Sequence, residues 1–129
     1  PRGHIVVNEH LQTNVPDVYA VGDAIEVVNF ITGQKTAVPL AGPANKQARI
    51  AADNAMGRNA KFRGTMGTTV AKIFDLVVAS TGNNEKTLKQ NNTPYLVSYT
   101  HSGSHAGYFP DAEMMAICSI SSISLPARA

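Results

Sequence analysis

The apolar run Val18-Tyr19-Ala20-Val21 stops abruptly at Gly22-Asp23, and this junction constrains the fold more than any other stretch of the chain. A continuous apolar run, rather than an alternating one, fits a strand covered on both faces, as in a parallel sheet. Gly22 has no side chain to hold a ligand at a distance, so the backbone there is able to approach one closely. Asp23 then presents a carboxylate at the carboxyl end of the strand, the edge at which open α/β sheets bind ligands. Carboxylate oxygens accept strong hydrogen bonds from hydroxyl groups. A Gly-Asp pair alone more often marks a plain turn, so its surroundings have to decide its meaning.

Those surroundings read as mixed α/β. Residues 5–7 form a short apolar strand, and residues 25–30 and 34–38 flank Thr32-Gly33 as a hairpin or irregular excursion. Residues 42–56 are the clearest helix, with Pro43 suited to the first helical position and Gly57 to a left-handed C-terminal cap. Ala44, Ala48, Ala51, Ala52 and Ala55 recur at helical spacing and predict a smooth face able to lie close to a sheet or a ligand. From Lys61 the character changes. Residues 68–74 and 76–80 read as strands around Asp75, 85–90 as a short helix, and 95–100 and 114–117 as further strands. The second half is therefore α+β with an antiparallel sheet. The expected organisation is one piece over residues 1–60, another over 61–118, and a divergent Ser-rich tail, SISSISLPARA, over 119–129, read as non-native or disordered.

Composition narrows the classes of function. With 129 residues, 43% hydrophobic and 16% charged, the chain is globular and of ordinary domain size. There is no Trp and there are only four Phe, so a core rich in Ala depends on close backbone approach more than on bulky side chains. A net charge of +2 without a basic stripe argues against nucleic-acid binding. No apolar run approaches membrane-spanning length, and no leader-like stretch opens the sequence, so a cytoplasmic origin is expected. The single cysteine, Cys118, excludes a disulfide or CxxC redox pair within these residues. An opening at Pro1, directly into an apolar run, reads as a piece of a longer protein.

The segment TNVPDVYAVGD, residues 13–23, resembles the second FAD-binding motif of flavoproteins with two dinucleotide folds. VPLAGPANKQARIAADN, residues 38–54, is similar to the helix that follows in one branch of the FAD-dependent pyridine nucleotide–disulfide oxidoreductases, the coenzyme A-disulfide reductases and NADH oxidases or peroxidases. FDLVVASTGNNEK, residues 74–86, resembles the start of that branch's dimerisation domain, and SHAGYFP, residues 104–110, resembles one of its later motifs. The resemblance implies that the chain holds the end of an FAD-binding fold and part of a dimerisation domain. It implies that Asp23 holds a ribitol hydroxyl of FAD beside Gly22. It further implies that the start of the helix faces the flavin pyrimidine edge, with backbone groups of Leu40 and Ala41 and the side chain of Asn45 in contact. Unpaired N–H groups and the positive dipole end favour negative charge at such a place. Tyr108 is the candidate catalytic residue, acting in the partner subunit's site. Where the branch usually carries a second Tyr, this chain has Phe109, which lacks the hydroxyl.

The resemblance implies a homodimeric enzyme that moves electrons from NAD(P)H through FAD to a disulfide, with coenzyme A disulfide as the favoured acceptor. A parent NADH oxidase or peroxidase is the near alternative, and a non-catalytic dimerisation or interaction module is a second. The glycine-rich pyrophosphate loop GxGxxG is absent, so the isolated chain is expected to be inactive and to bind FAD weakly or not at all. Other residues carry less. Cys118 lies outside any matching motif and reads as structural. His4, His10, His101 and His105 show no metal-ligand spacing, so no metal is expected. Ser102 and Ser104 near His101 and His105 lack the context of a hydrolase triad. Lys46 and Arg49 read as solvated helix charges, and Met114 and Met115 as packing residues.

Overall fold

The computed structural model describes residues 3–122. They group into two compact units, one ending at Gly82 and the other beginning at Asn83. This division falls beyond the change in sequence character at Lys61.

In the first unit the core is small, centred on buried Leu11, Ile25 and Val27, with Val7, Ala20, Val38, Ile50, Ala51 and Phe62 packed around them. The two apolar runs expected to be strands are extended but form only single bridges. Ile5 pairs in parallel with Ile25, and Gln12 pairs antiparallel with Tyr19. Val18 and Val21 are exposed, contrary to the expectation of a strand covered on both faces. The physical reason is that no neighbouring strand among the described residues completes a ladder beside them. The hairpin about Thr32-Gly33 does form, with β1 (Val27–Val28) antiparallel to β2 (Lys35–Thr36). Beside this pair, the buried Glu26 carboxylate meets Lys35 Nζ at 2.8 Å. That hydrogen bond, together with the charge of Lys35, holds Glu26 below the usual carboxylate range.

Helix α1 spans Ala41–Ala55. Pro43 is therefore its third residue rather than its first, still within the turn whose N–H groups have no intrahelical acceptor. Its inner face is Ala44, Gln47, Ile50, Ala51 and Asn54, at the spacing of a 3.6-residue repeat, while Ala48, Ala52 and Ala55 are exposed. The smooth alanine face thus turns only partly inward, and a polar side chain occupies its centre. The helix ends at Gly57 with φ +84°, whose N–H donates to Asn54 O at 3.0 Å. Asn54 ties this end to two other segments. Its Nδ2 donates to His10 O and Ala60 O, both at 2.9 Å, and its Oδ1 accepts Ala60 N–H at 2.8 Å.

Strands β3 (Thr69–Ile73) and β4 (Leu76–Ser80) form the expected antiparallel hairpin through Phe74-Asp75, and every residue of both strands is exposed. In the second unit, α2 (Glu85–Gln90) is capped by Asn84, whose side chain accepts Thr87 N–H at 2.9 Å. Strands β5 (Tyr95–Gly103) and β6 (Met114–Ser122) pair antiparallel along their whole length. Both run longer than the sequence pattern indicates, and Ser119 to Ser122 of the Ser-rich tail continue β6. The rest of that tail, residues 123–129, lies outside the described residues. Glu85 fastens helix to sheet, accepting from Tyr95 Oη at 2.7 Å and Tyr99 Oη at 3.1 Å and pairing with Lys89 at 3.2 Å. Those donors, Tyr95 first, hold its carboxyl below the usual range. Glu85 in turn raises the Tyr99 phenol, whose ionised form would face a carboxylate.

Candidate functional site

Gly22-Asp23-Ala24 form a single 3-10 turn, with Gly22 at φ +79°. Positive φ suits glycine because a Cβ crowds the backbone there. The turn lies against the first turns of α1: a Cβ built at Gly22 would meet Ala44 Cβ at 4.0 Å. One hydrogen bond fixes the two together. Gly22 N–H donates to Gln47 Oε1 at 2.8 Å, and the Gln47 side chain is 1% exposed. An interior amide is retained only where it is satisfied, and here it serves the backbone of the Gly-Asp turn.

Of the residues that the sequence proposes, this arrangement gathers Gly22, Asp23, Leu40, Ala41 and Asn45 around the start of α1. Asp23, Ala41 and Asn45 are exposed, and Leu40 is half-buried. Leu40 is the N-cap in extended conformation and contributes no side-chain cap. Its N–H donates to Val38 O at 2.9 Å and its carbonyl accepts Ala44 N–H at 3.2 Å. The N–H groups of Ala41 and Gly42 have no acceptor among the described residues. The site therefore offers two free backbone donors at a positive helix end and a carboxylate acceptor on the neighbouring turn. A cavity of about 620 Å³ opens beside it, lined in part by Phe30, Gly42, Pro43, Lys46 and Arg63.

Tyr108 belongs to the second unit, in the loop between β5 and β6, and is 83% exposed. Cys118 is exposed on β6, where Tyr99 is its cross-strand partner. Among the described residues no group of His, Cys, Asp and Glu is arranged to hold a metal ion, and no helix is long and apolar enough to cross a membrane. Sequence reasoning missed Gln47 and Asn54 as organising residues. Their signal was a polar residue at a position where the helical repeat calls for an apolar one.

Residues 1–48 match the pyridine nucleotide-disulphide oxidoreductase family. Over most of its own length the chain also resembles proteins of this class. Among them, the chain is similar to the NADH oxidase of Methanocaldococcus jannaschii, 36% identical over 88% of this chain and 25% of that protein. It is also similar to the coenzyme A disulfide reductase of Staphylococcus epidermidis, 37% identical over 84% of this chain and 25% of that protein. Among solved structures, reduced Bacillus anthracis CoADR-RHD is 52% identical, covering 92% of this chain and 22% of that one, with a TM-score of 0.87. A NAD-dependent persulfide reductase from A. fulgidus is 34% identical, covering 93% of this chain and 22% of that one, with a TM-score of 0.90. The chain spans about a quarter of the length of the curated relatives it matches. The family is FAD- and NAD(P)H-dependent, and these relatives are oxidoreductases.

Proposed function

We propose that this chain forms part of a flavoprotein that oxidises NAD(P)H and reduces a disulfide, with coenzyme A disulfide as the favoured acceptor. The observation that carries this reading is the Gly22-Asp23 turn held against the start of α1 by Gln47. The residues present fit a flavin nucleotide. The Asp23 carboxylate suits a polyol hydroxyl, and the free Ala41 and Gly42 N–H groups suit an electron-rich carbonyl edge. The exposed Asn45 amide adds a donor and an acceptor one turn further on. Bound FAD supplies the electron transfer between nicotinamide and acceptor. The chain's own part is to bind and orient: Asp23 anchors a hydroxyl, the helix end favours negative charge, and Gln47 keeps the turn in register with the helix.

Tyr108 is proposed to act at the partner subunit's site in a homodimer, bringing a phenol to the acceptor. An NADH oxidase or peroxidase parent is the alternative, supported by the similarity to the Methanocaldococcus jannaschii protein. The isolated chain, lacking a glycine-rich pyrophosphate loop, is expected to be inactive and to retain little FAD. The test is the visible spectrum of the full-length flavoprotein before and after anaerobic NADH. A yellow protein that bleaches, then recovers its colour on adding coenzyme A disulfide, fits the reading. A colourless protein that takes up no FAD refutes it.

A further inference from the structure

We infer that His105 is a positioning residue for Tyr108, clasping the loop between β5 and β6 so that the tyrosine stands preset at its tip. This rests on the reading of Tyr108 given above. Gly103 and Met114 are the last register partners of the two strands, so residues 104–113 leave the ladder together. At the neck, Ser104 N–H donates to Glu113 O at 2.8 Å and Glu113 N–H donates to Ser104 Oγ at 3.2 Å. His105 then uses both ring nitrogens inside the loop. Nδ1 lies 3.0 Å from Ser104 Oγ, and Nε2 lies 2.9 Å from the Pro110 carbonyl oxygen.

A carbonyl oxygen only accepts, so Nε2 carries the proton. In the neutral ring Nδ1 then accepts from Ser104 O–H, and the imidazole joins the loop's entry to its far side. A turn closed by Phe109 N–H to Ala106 O, at 3.0 Å, lies between these attachments. The rings continue the connection. His105 meets Phe109 edge-on with centroids 6.2 Å apart, and Phe109 lies against Tyr108 at 4.7 Å. Tyr108 is 83% exposed, and the ring contact with Phe109 is what ties it to the rest of the loop. Phe109 therefore serves as the ring between histidine and tyrosine, a task that needs no hydroxyl. Ordering an exposed loop that is otherwise free has a cost in conformational entropy when a site forms. Internal hydrogen bonds meet that cost in advance, and preorganisation of this kind is what a reacting group requires.

Two measurements test this. In the chain itself, long-range ¹H–¹⁵N spectra of the imidazole should show the Nε2–H tautomer, and an Nδ1–H tautomer overturns the inference. In the full-length flavoprotein reducing coenzyme A disulfide, His105→Ala should lower kcat about tenfold or more, as Tyr108→Phe does, with KM for NAD(P)H unchanged. His105→Gln keeps a donor and an acceptor and should recover most of the loss. Combining His105→Ala with Tyr108→Phe should be no worse than Tyr108→Phe alone, since a residue acting only through another adds nothing once that other is gone. Additive losses, or a silent His105→Ala beside an impaired Tyr108→Phe, overturn the inference alone. A silent Tyr108→Phe removes the reading of Tyr108 and the inference with it.

Discussion

Replacing Gln47 by Leu removes the side-chain acceptor that joins the Gly22-Asp23 turn to α1 while nearly keeping the volume of a side chain that is 1% exposed. Loss of volume is thus a minor contribution, and the main effect is an orphaned Gly22 N–H. Leaving a buried donor unsatisfied costs about 1–3 kcal/mol, and this bond is part-buried, which places the loss at the lower end, about 1 kcal/mol. For a unit of this size, a loss of about 1 kcal/mol lowers Tm by roughly 4–8 °C. Thermal unfolding followed by NMR signals of the first unit measures that shift, and hydrogen exchange at the Gly22 amide localises it. Protection at Gly22 should fall more than protection in the middle of α1. Arg49→Ala, an exposed change on the same helix, should stay within about 0.5 kcal/mol of the parent. If Gln47→Leu behaves like Arg49→Ala and Gly22 exchange is unchanged, then water or a shifted backbone satisfies that N–H, and Gln47 does not hold the turn.

Asp23→Ala in the full-length flavoprotein should lower the flavin-to-protein ratio, and an unchanged ratio removes Asp23 from the site. Gly64→Ala should destabilise the first unit by about 3 kcal/mol or more, because φ there is +98° and a Cβ would run into Val28 O; urea unfolding measures this. Asn54→Ala deletes three hydrogen bonds and should cost about 2–3 kcal/mol by the same assay. The second unit should weaken on acidification. Glu85 is held below its usual range in the fold, so its stabilising effect is complete above the unfolded value of about 4.3 and fades as pH falls through the lower folded value. Glu85→Gln should flatten that acid dependence in circular dichroism titrations, and an unaltered profile would point to another carboxylate.

Much of this molecule is legible in the sequence where local chemistry suffices. The short helix at 85–90, the hairpin about Asp75 and the closure of α1 at Gly57 each rest on hydrogen bonds between residues near in sequence. The apolar runs at 5–7 and 18–21 misled because strand formation needs a partner. Periodicity reports a preference for burial, not whether a neighbouring strand is present to satisfy it. Likewise, the alanine spacing in α1 was visible, but the choice of Ala44 and Ala51 over Ala48 and Ala52 for the inner face was not.

The sequence by itself determined the Gly-Asp junction, the helix that follows it, and the family resemblance carried by both. These depend on residue identity and spacing along one strand of chain. Only the tertiary structure decided that Gln47 reaches across to Gly22, that Asn54 holds His10 and Ala60, and that His105 bridges Ser104 and Pro110. The long-range bonds among these depend on where distant backbone groups come to rest. A polar side chain declares that it needs a partner, but the fold alone supplies which one.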